Sequence, residues 1–378
     1  MTSRRSLLQA MAMLPVVTAC SSGGSMALSP GMHYTPSGSP LRRANISDAR
    51  VIRTVTGLRP YCKAGFVVDG QRMGDKTVIH NYGHGGGGIT LSWGTSHLAM
   101  EIALETVHKK CAVLGCGVMG LTTARLMQDR GWDVTVYSKD LPPHTTSNIA
   151  GGQWSPASVY AEESITPVFQ KQFEAAMRLS YRYFQDLVGP KYGVRWISNY
   201  QLSDEARPTN DLVHEYASMY PQLSILGPGE HPFPIKYATH YSTMLIEPAI
   251  FLNRLMEDFY HAGGHIKVKE MSGLDEVLTL SEPVIFNCTG LGARQLFADN
   301  ELFPIKGQLS VVLPQKEVDY ISITDSTYMF PRSDGIILGG TFEPNNWDPT
   351  PDPVQTQRIL SEHKAFFAGM KDPWSVLH

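Results

Sequence analysis

Cysteine is scarce in this chain, and its spacing suggests no metal or redox pair. Five cysteines stand among 378 residues: Cys20, Cys62, Cys111, Cys116 and Cys288. No C-x-x-C occurs, which argues against a zinc ribbon or a thioredoxin-type pair, and no metal site is expected. Cys111 and Cys116 flank and enter one apolar run and are expected as free thiols. Charge is thin as well: 18% of residues, a formal net of -3, and no basic run after the first residues. Nothing in that balance points to nucleic acid. Beyond the N-terminus no apolar run reaches the roughly eighteen residues that a spanning helix needs. No internal repeat is present. What remains, 42% hydrophobic, is the composition of a globular protein of one large domain or two.

The first residues differ in character. Arg4-Arg5 precede a short apolar run to Val17, then Thr18-Ala19-Cys20 and Ser21-Ser22-Gly23-Gly24-Ser25. Charge, apolar run, small residues and cysteine in that order read as an export signal of the twin-arginine type over residues 1–20. Its end resembles a lipobox that would make Cys20 a lipidated N-terminus. Residues 21–45, rich in Ser, Pro and Gly, read as a tether. The expected location is the periplasm or cell envelope, with a lipid anchor as the only membrane contact.

Farther along, residues 49–55 and 76–82 read as strands. Residues 89–105 read as a helix with Leu91, Leu98, Ile102 and Leu104 on an apolar face. Cys111-Ala112-Val113-Leu114 is a buried strand, 121–129 a helix ended by Gly131, and 133–137 a second strand. A long helix over 166–187 opens at Thr166-Pro167. Residues 194–203 alternate as a strand, 247–261 and 355–369 are helical, and 284–290, 310–312, 327–331 and 336–342 are strands.

Between the buried strand and its helix lies Gly115-Cys116-Gly117-Val118-Met119-Gly120. Gly115 permits a tight turn out of the strand, Gly117 lets the backbone approach a pyrophosphate, and Gly120 lets the helix pack close to the strand. The helix N-terminus then turns its amides toward the phosphates. Strand, glycine loop, helix and strand fit the length of a Rossmann mononucleotide unit. An acid usually ends the second strand. Here Tyr137-Ser138-Lys139-Asp140 puts a lysine there, so Ser138 and Lys139 are expected to meet the adenosine half in another way.

About thirty residues before that loop stands His80-Asn81-Tyr82-Gly83-His84-Gly85-Gly86-Gly87-Gly88-Ile89-Thr90. It resembles the flavin-contacting segment of the D-amino-acid oxidase family. Thr145-Thr146-Ser147-Asn148-Ile149-Ala150-Gly151-Gly152-Gln153-Trp154 resembles that family's run along the pyrophosphate and flavin, and Asn287-Cys288-Thr289-Gly290 its turn beside the adenine half. In the family the Rossmann loop opens the chain and the His-Asn-Tyr-Gly-His segment closes it. Here the order is exchanged, so the chain resembles a circular permutant joined through residues 106–110, with similarity over roughly 49–370.

The resemblance implies FAD as cofactor. Its contacts would be Gly85, Gly86, Gly88, Ile89, Thr90, Gly115, Cys116, Gly117, Val118, Met119, Gly120, Ser138, Lys139, Thr145, Thr146, Ala150, Gly151, Gly152, Met271 and Thr289. Bare amides at the end of a glycine run would stabilise the charge that a flavin gains with a hydride. Thr56-Gly57-Leu58-Arg59-Pro60 matches the family context of the arginine that grips the substrate carboxylate, a task suited to a planar fork of donors. Tyr328, before Met329-Phe330-Pro331, matches the tyrosine that adds a second hydrogen bond. Arg59, Tyr328 and Gly86 are thus the implied catalytic positions. His80 and His84 read as structural, because a flavin and not a side chain takes the hydride. The family's lid tyrosine has no counterpart, Tyr320 being the nearest candidate, and Arg332 or His240 could supply a second cation for an acidic substrate.

The expected fold is therefore α/β with α+β elements, a Rossmann-type FAD-binding domain plus a mixed-sheet substrate domain, circularly permuted. The FAD-binding domain would take residues 46–157, 262–300 and 333–378, and the substrate domain 158–261 and 301–332. The implied activity is oxidation of D-amino acids to 2-oxo acids, ammonia and hydrogen peroxide, with dioxygen as acceptor and a homodimer left open. Alternatives are a related amine oxidase or dehydrogenase acting on D-aspartate, glycine or a secondary amine, and a non-catalytic flavin-binding lipoprotein.

Overall fold

The computed structural model describes residues 41–206 and 211–371. The export signal and most of the tether lie outside them. Two sheets carry the fold. The smaller contains β2 (Val67–Met73), β3 (Lys76–Tyr82), β4 (Lys110–Leu114), β5 (Asp133–Ser138), β9 (His265–Val268) and β10 (Val284–Asn287), in the order β2-β3-β10-β4-β5-β9. All pairings are parallel except β2 with β3. Parallel strands need helical crossovers and bury both faces, hence the continuous apolar runs Val113-Leu114 and Val284-Ile285-Phe286. Helix α2 (Val118–Asp129) supplies the crossover from β4 to β5. Gly131, with φ +73°, follows its end as expected.

Helix α1 (Gly88–Leu104) departs from the amphipathic reading. It is enclosed by α2 and by α4 (Pro167–Asp186), so Ser92, Gly94, Thr95 and Ser96 are buried while Leu98, Ile102 and Leu104 are only partly covered. Close helix crossing explains this: the Gly94 amide donates to Ser180 Oγ at 2.8 Å, and a Cβ on Gly94 would strike the Ala176 backbone. Hydroxyls satisfy one another there, as in Ser96 with Thr122 at 2.8 Å and Thr123 at 2.9 Å. Thr166 caps α4 by accepting from the Phe169 amide at 3.1 Å.

The larger sheet runs β1 (Val51–Tyr61), β11 (Phe303–Val312), β14 (Gly335–Gly339), β13 (Tyr328–Arg332), β12 (Tyr320–Ile323), β6 (Val194–Ser203), β8 (Tyr237–Ile246), β7 (Ser224–Leu226), with β15 (Glu343–Pro344) beside β11. Five elements fall across the expected domain division. Strand β1, from the 46–105 segment, pairs with β11 over almost its whole length, from Val51 opposite Val312 to Tyr61 opposite Phe303. Strand β14 and the helix Pro353–Gly369 likewise belong to this sheet and its apolar cluster. Conversely, α4 and the helix Pro248–His261, expected with the substrate domain, pack on α1 and α2. The reason is amphipathic partnering: each helix buries its apolar face against the nearest uncovered layer, wherever the chain connections fall.

Candidate active site

A cavity of about 390 Å³ lies between the two sheets. Its larger-sheet wall begins with a row of small residues. Gly57 on β1 faces Gly307 on β11, and Gly339 on β14 is opposite both Leu309 and Tyr328. Arg59 and Tyr328 stand on strands separated by two others. At about 4.8 Å per strand their backbones are roughly 14 Å apart. Only two long side chains lying flat can meet over that span, and they do: Arg59 Nη2 donates to the Tyr328 hydroxyl at 3.3 Å. The glycines make it possible. A Cβ at Gly307 would run into the Arg59 guanidinium, and one at Gly339 into the Tyr328 ring. Tyr328 is held from behind as well, since buried His363 bonds its carbonyl at 3.1 Å.

The opposite wall comes from the smaller sheet and its loops. Gly85, Gly86, Gly88, Ile89, Val118, Thr146, Ala150, Gly151 and Gly152 all line the cavity with Arg59 and Tyr328. Gly86 anchors its loop by donating its amide to the Ser158 carbonyl at 3.1 Å. A Cβ there would lie 2.5 Å from the Ala157 carbonyl oxygen. Gly151 lies against the Phe330 ring, where a Cβ would sit 2.5 Å from Cε2, so the flavin-type loop and the Tyr328 strand are in direct contact. Thr90 ties the same loop to α1 by donating to the Ser155 carbonyl at 2.8 Å.

The remaining expected contacts lie away from the cavity lining, around the glycine loop. Gly115 has φ +104° at the end of β4, beside the Cys288 carbonyl. The Cys116 amide donates to Ser138 Oγ at 3.1 Å, and Thr289 donates to Asn287 Oδ1 at 2.7 Å. Gly117 and the Val118 amide meet Ser147 Oγ, the latter at 3.0 Å. Met119 and Gly120 are buried in the first turn of α2. Thr145 donates to Asn148 Oδ1 at 2.8 Å, and Met271 packs against the cluster around Tyr137. The side chain of Lys139 is largely exposed and pairs with Glu270 at 3.4 Å. Cys62, Cys111, Cys116 and Cys288 are buried free thiols, and burial pushes Cys116 up to about 12.

Three secondary candidates are corrected. Tyr320 is fully buried and donates to the Arg42 carbonyl at 2.8 Å, so it is no lid. The cavity is bounded at that side by the turn 324–327 instead. Arg332 is consumed by structure: it grips Asp334 with two donors, at 2.8 and 2.6 Å, and holds the Ala150 carbonyl at 2.7 Å. His240 stacks near Tyr200 on β8 and does not reach the cavity. The motif histidines behave as structural residues. His84 is buried against Phe66, bonds Thr95 at 2.9 Å, and is pushed down to about 3 by desolvation. His80 is also lowered by burial and bonds Asn287 at 3.0 Å. Both are therefore neutral near pH 7.

A parallel nucleotide-type sheet with a glycine loop, set against a sheet bearing an Arg–Tyr pair, defines a two-layer dinucleotide-dependent oxidoreductase. The comparisons agree. The FAD dependent oxidoreductase family matches residues 110–377. A D-amino-acid oxidase of Rubrobacter xylanophilus is 31% identical over 258 residues, 67% of this chain and 76% of that one. A D-aspartate oxidase of Homo sapiens is 30% identical over 259 residues, 67% of this chain and 74% of that one. A solved glycine oxidase of Geobacillus kaustophilus shares the fold with a TM-score of 0.54 at 16% identity, over 70% of this chain and 80% of that one. The chain belongs to the FAD dependent oxidoreductase family, and its cofactor is FAD.

The residues present fit that group. Ser147 Oγ rests on the α2 N-terminus, where a helix offers its amides to phosphate oxygens. Nearby, Asn148 Nδ2 is enclosed without a partner among the described residues, a donor with nothing in the protein to bond. Sequence reasoning did not single out Gly57, Gly307 and Gly339 as the floor, nor Ser147 as the group over the helix. Their roles come from cross-strand register and loop packing, which local motifs do not encode.

Proposed function

We propose that the protein oxidises D-amino acids to 2-oxo acids. With dioxygen and water as co-reactants the products are the 2-oxo acid, ammonia and hydrogen peroxide. The single observation that carries this reading is the Arg59–Tyr328 pair laid over the glycine floor of a cavity whose other wall is Gly85–Ile89 and 150–152. FAD, when bound, would supply the hydride acceptor and the redox link to dioxygen. Arg59 takes the substrate carboxylate with its two-pronged donor edge, and the Tyr328 hydroxyl turns from Arg59 to the same carboxylate. Their anchoring by β1, β13 and His363 fixes where the carboxylate sits, which contributes to rate, and the choice of enantiomer then falls to whatever separates amine from side chain. Neither His80 nor His84 lines the cavity, in keeping with a reaction that needs no side-chain base. Gly86 lines the same cavity and contributes backbone groups only.

The test is anaerobic mixing of purified yellow protein with D- and L-amino acids while flavin absorbance is followed, then admission of air. Bleaching by D-isomers alone, with peroxide on reoxidation, is the expected result. Bleaching by L-isomers would overturn the stereochemical assignment, and slow reoxidation would make the protein a dehydrogenase.

Two finer readings accompany this one. The order of segments supports a circular permutation: β3 and α1 precede β4 in the chain, yet β3 shares its sheet one strand away across β10, α1 packs on α2, and only residues 105–109 connect α1 to β4. The family match beginning at residue 110 is in keeping with that. The N-terminal pattern supports export and lipidation at Cys20. Mass spectrometry of protein from membranes should find an acylated Cys20 as the first residue, and an unprocessed N-terminus would sink the anchor.

A further inference from the structure

Beside Tyr328 the cavity is lined by apolar Leu309, Ile323 and Phe330 and by the polar turn 324–327. From the flavin-type loop Thr146, Ser147 and Gln153 carry polar side chains into the lining, and of these Gln153 bonds the larger sheet, through Asn199 on β6. Its backbone is fixed by a bridge to Leu245 on β8, and its carbonyl accepts from Thr90 at 3.3 Å. Its Nε2 donates to Asn199 Oδ1 at 3.0 Å. Asn199 is wholly buried on β6, and its own Nδ2 has no partner among the described residues. That bond decides which end of the Gln153 amide is free. The nitrogen end is tied to β6. Oε1 accepts from none of the described residues and is not among the enclosed unpaired atoms, so it opens on the cavity.

We propose that Gln153 is a specificity-determining residue: its side-chain carbonyl, held in place by Asn199, receives the hydroxyl of a short substrate side chain. The inference rests on the D-amino-acid reading above and narrows it to a class, small D-amino acids with a side-chain hydroxyl. The physical basis is asymmetric. A hydroxyl entering the pocket exchanges its water partner for Gln153 Oε1. An alkyl group of the same shape strips water from that oxygen and gives nothing back. Leu309, Ile323 and Phe330 offer the two side chains the same contact, and variants at Gln153 separate its hydrogen bond from any made by the turn 324–327.

The experiment compares kcat/KM for D-serine and D-2-aminobutyrate, which differ by hydroxyl against methyl, using FAD-loaded full-length protein. D-Serine is expected to lead by about tenfold, the worth of one neutral hydrogen bond in a dry pocket. In Gln153→Met the ratio should fall to about one. Because that change strands Asn199 in the core, the double variant Gln153→Met/Asn199→Leu removes both partners and should give the same ratio in a sounder fold. Equal kcat/KM in the parent protein, or a ratio that neither variant moves, overturns the inference and leaves the oxidase reading standing. A shifted flavin spectrum with an unmoved ratio also overturns it, by assigning Gln153 to the cofactor. A flavin that no D-amino acid reduces overturns the underlying reading, and this one with it.

Discussion

Arg59→Leu is expected to lower kcat/KM for amino acids on the order of a thousandfold while FAD stays bound. Among the described residues lining the cavity Arg59 is the only cation, so none of them can replace it on the carboxylate. The loss combines a charge-assisted, two-donor contact with the orientation it imposes, and both appear in kcat as well as KM. Arg59→Lys keeps the charge without the fork and should recover only part of the activity. Gly307→Ala offers an independent route to the same phenotype. Its new methyl must displace the Arg59 guanidinium, yet Gly307 lies on the sheet opposite the nucleotide loop. Steady-state kinetics with flavin absorbance recorded on the same samples checks all three. Arg59→Leu within tenfold of the parent would remove Arg59 from the substrate site.

Gly120→Ala should yield a colourless protein, its FAD affinity down on the order of a hundredfold, as overpacking of one methyl against backbone implies. A Cβ at Gly120 collides with the Gly115 carbonyl, so the first turn of α2 must move off β4. The amides of that turn then lose their aim at the phosphates. The measurement is the ratio of flavin to protein absorbance after dialysis, followed by fluorescence titration with FAD. Tyr328 and Arg59 lie far along the chain on the other sheet and should keep their mutual bond. A stoichiometrically yellow Gly120→Ala protein would remove the helix terminus from cofactor binding.

What could be read from the sequence was chemistry encoded within a few residues. The Gly115–Gly120 loop, the Thr-Gly-Leu-Arg-Pro run and the Tyr328 strand each carry their meaning in consecutive positions; in the fold the loop joins β4 to α2, and Arg59 and Tyr328 meet at one cavity. Element spacing was equally local, so the Thr166 cap and the Gly131 stop fell where side-chain and backbone preferences put them. Non-local facts were out of reach. Nothing beside Gly307 in the chain says that Arg59, some 250 residues earlier, lies over it. Arg332 looked like a spare cation until Asp334 and the Ala150 carbonyl were found to occupy it. The apolar face read on α1 does meet the core but is only part of its buried surface, because periodicity assumes one covered side, whereas α1 has neighbours on several. The places of β1 and the last helix were hidden for a similar reason: sheet pairing and packing, not chain order, decided where they settled.

Strand β10, Val284–Asn287, sits between β3 and β4. Until it is made, the nucleotide sheet exists only as two pieces with no common edge, the pair β2-β3 and the triplet β4-β5-β9. The missing middle piece leaves the ribosome only after about three-quarters of the chain has been synthesised. Early segments of this protein thus wait for a late keystone, and the long loops that link them must close before any of these parallel contacts repay the entropy. Capture of the flavin is in consequence an event of the finishing stage of synthesis, and a chain cut short before that strand is a chain without a cofactor.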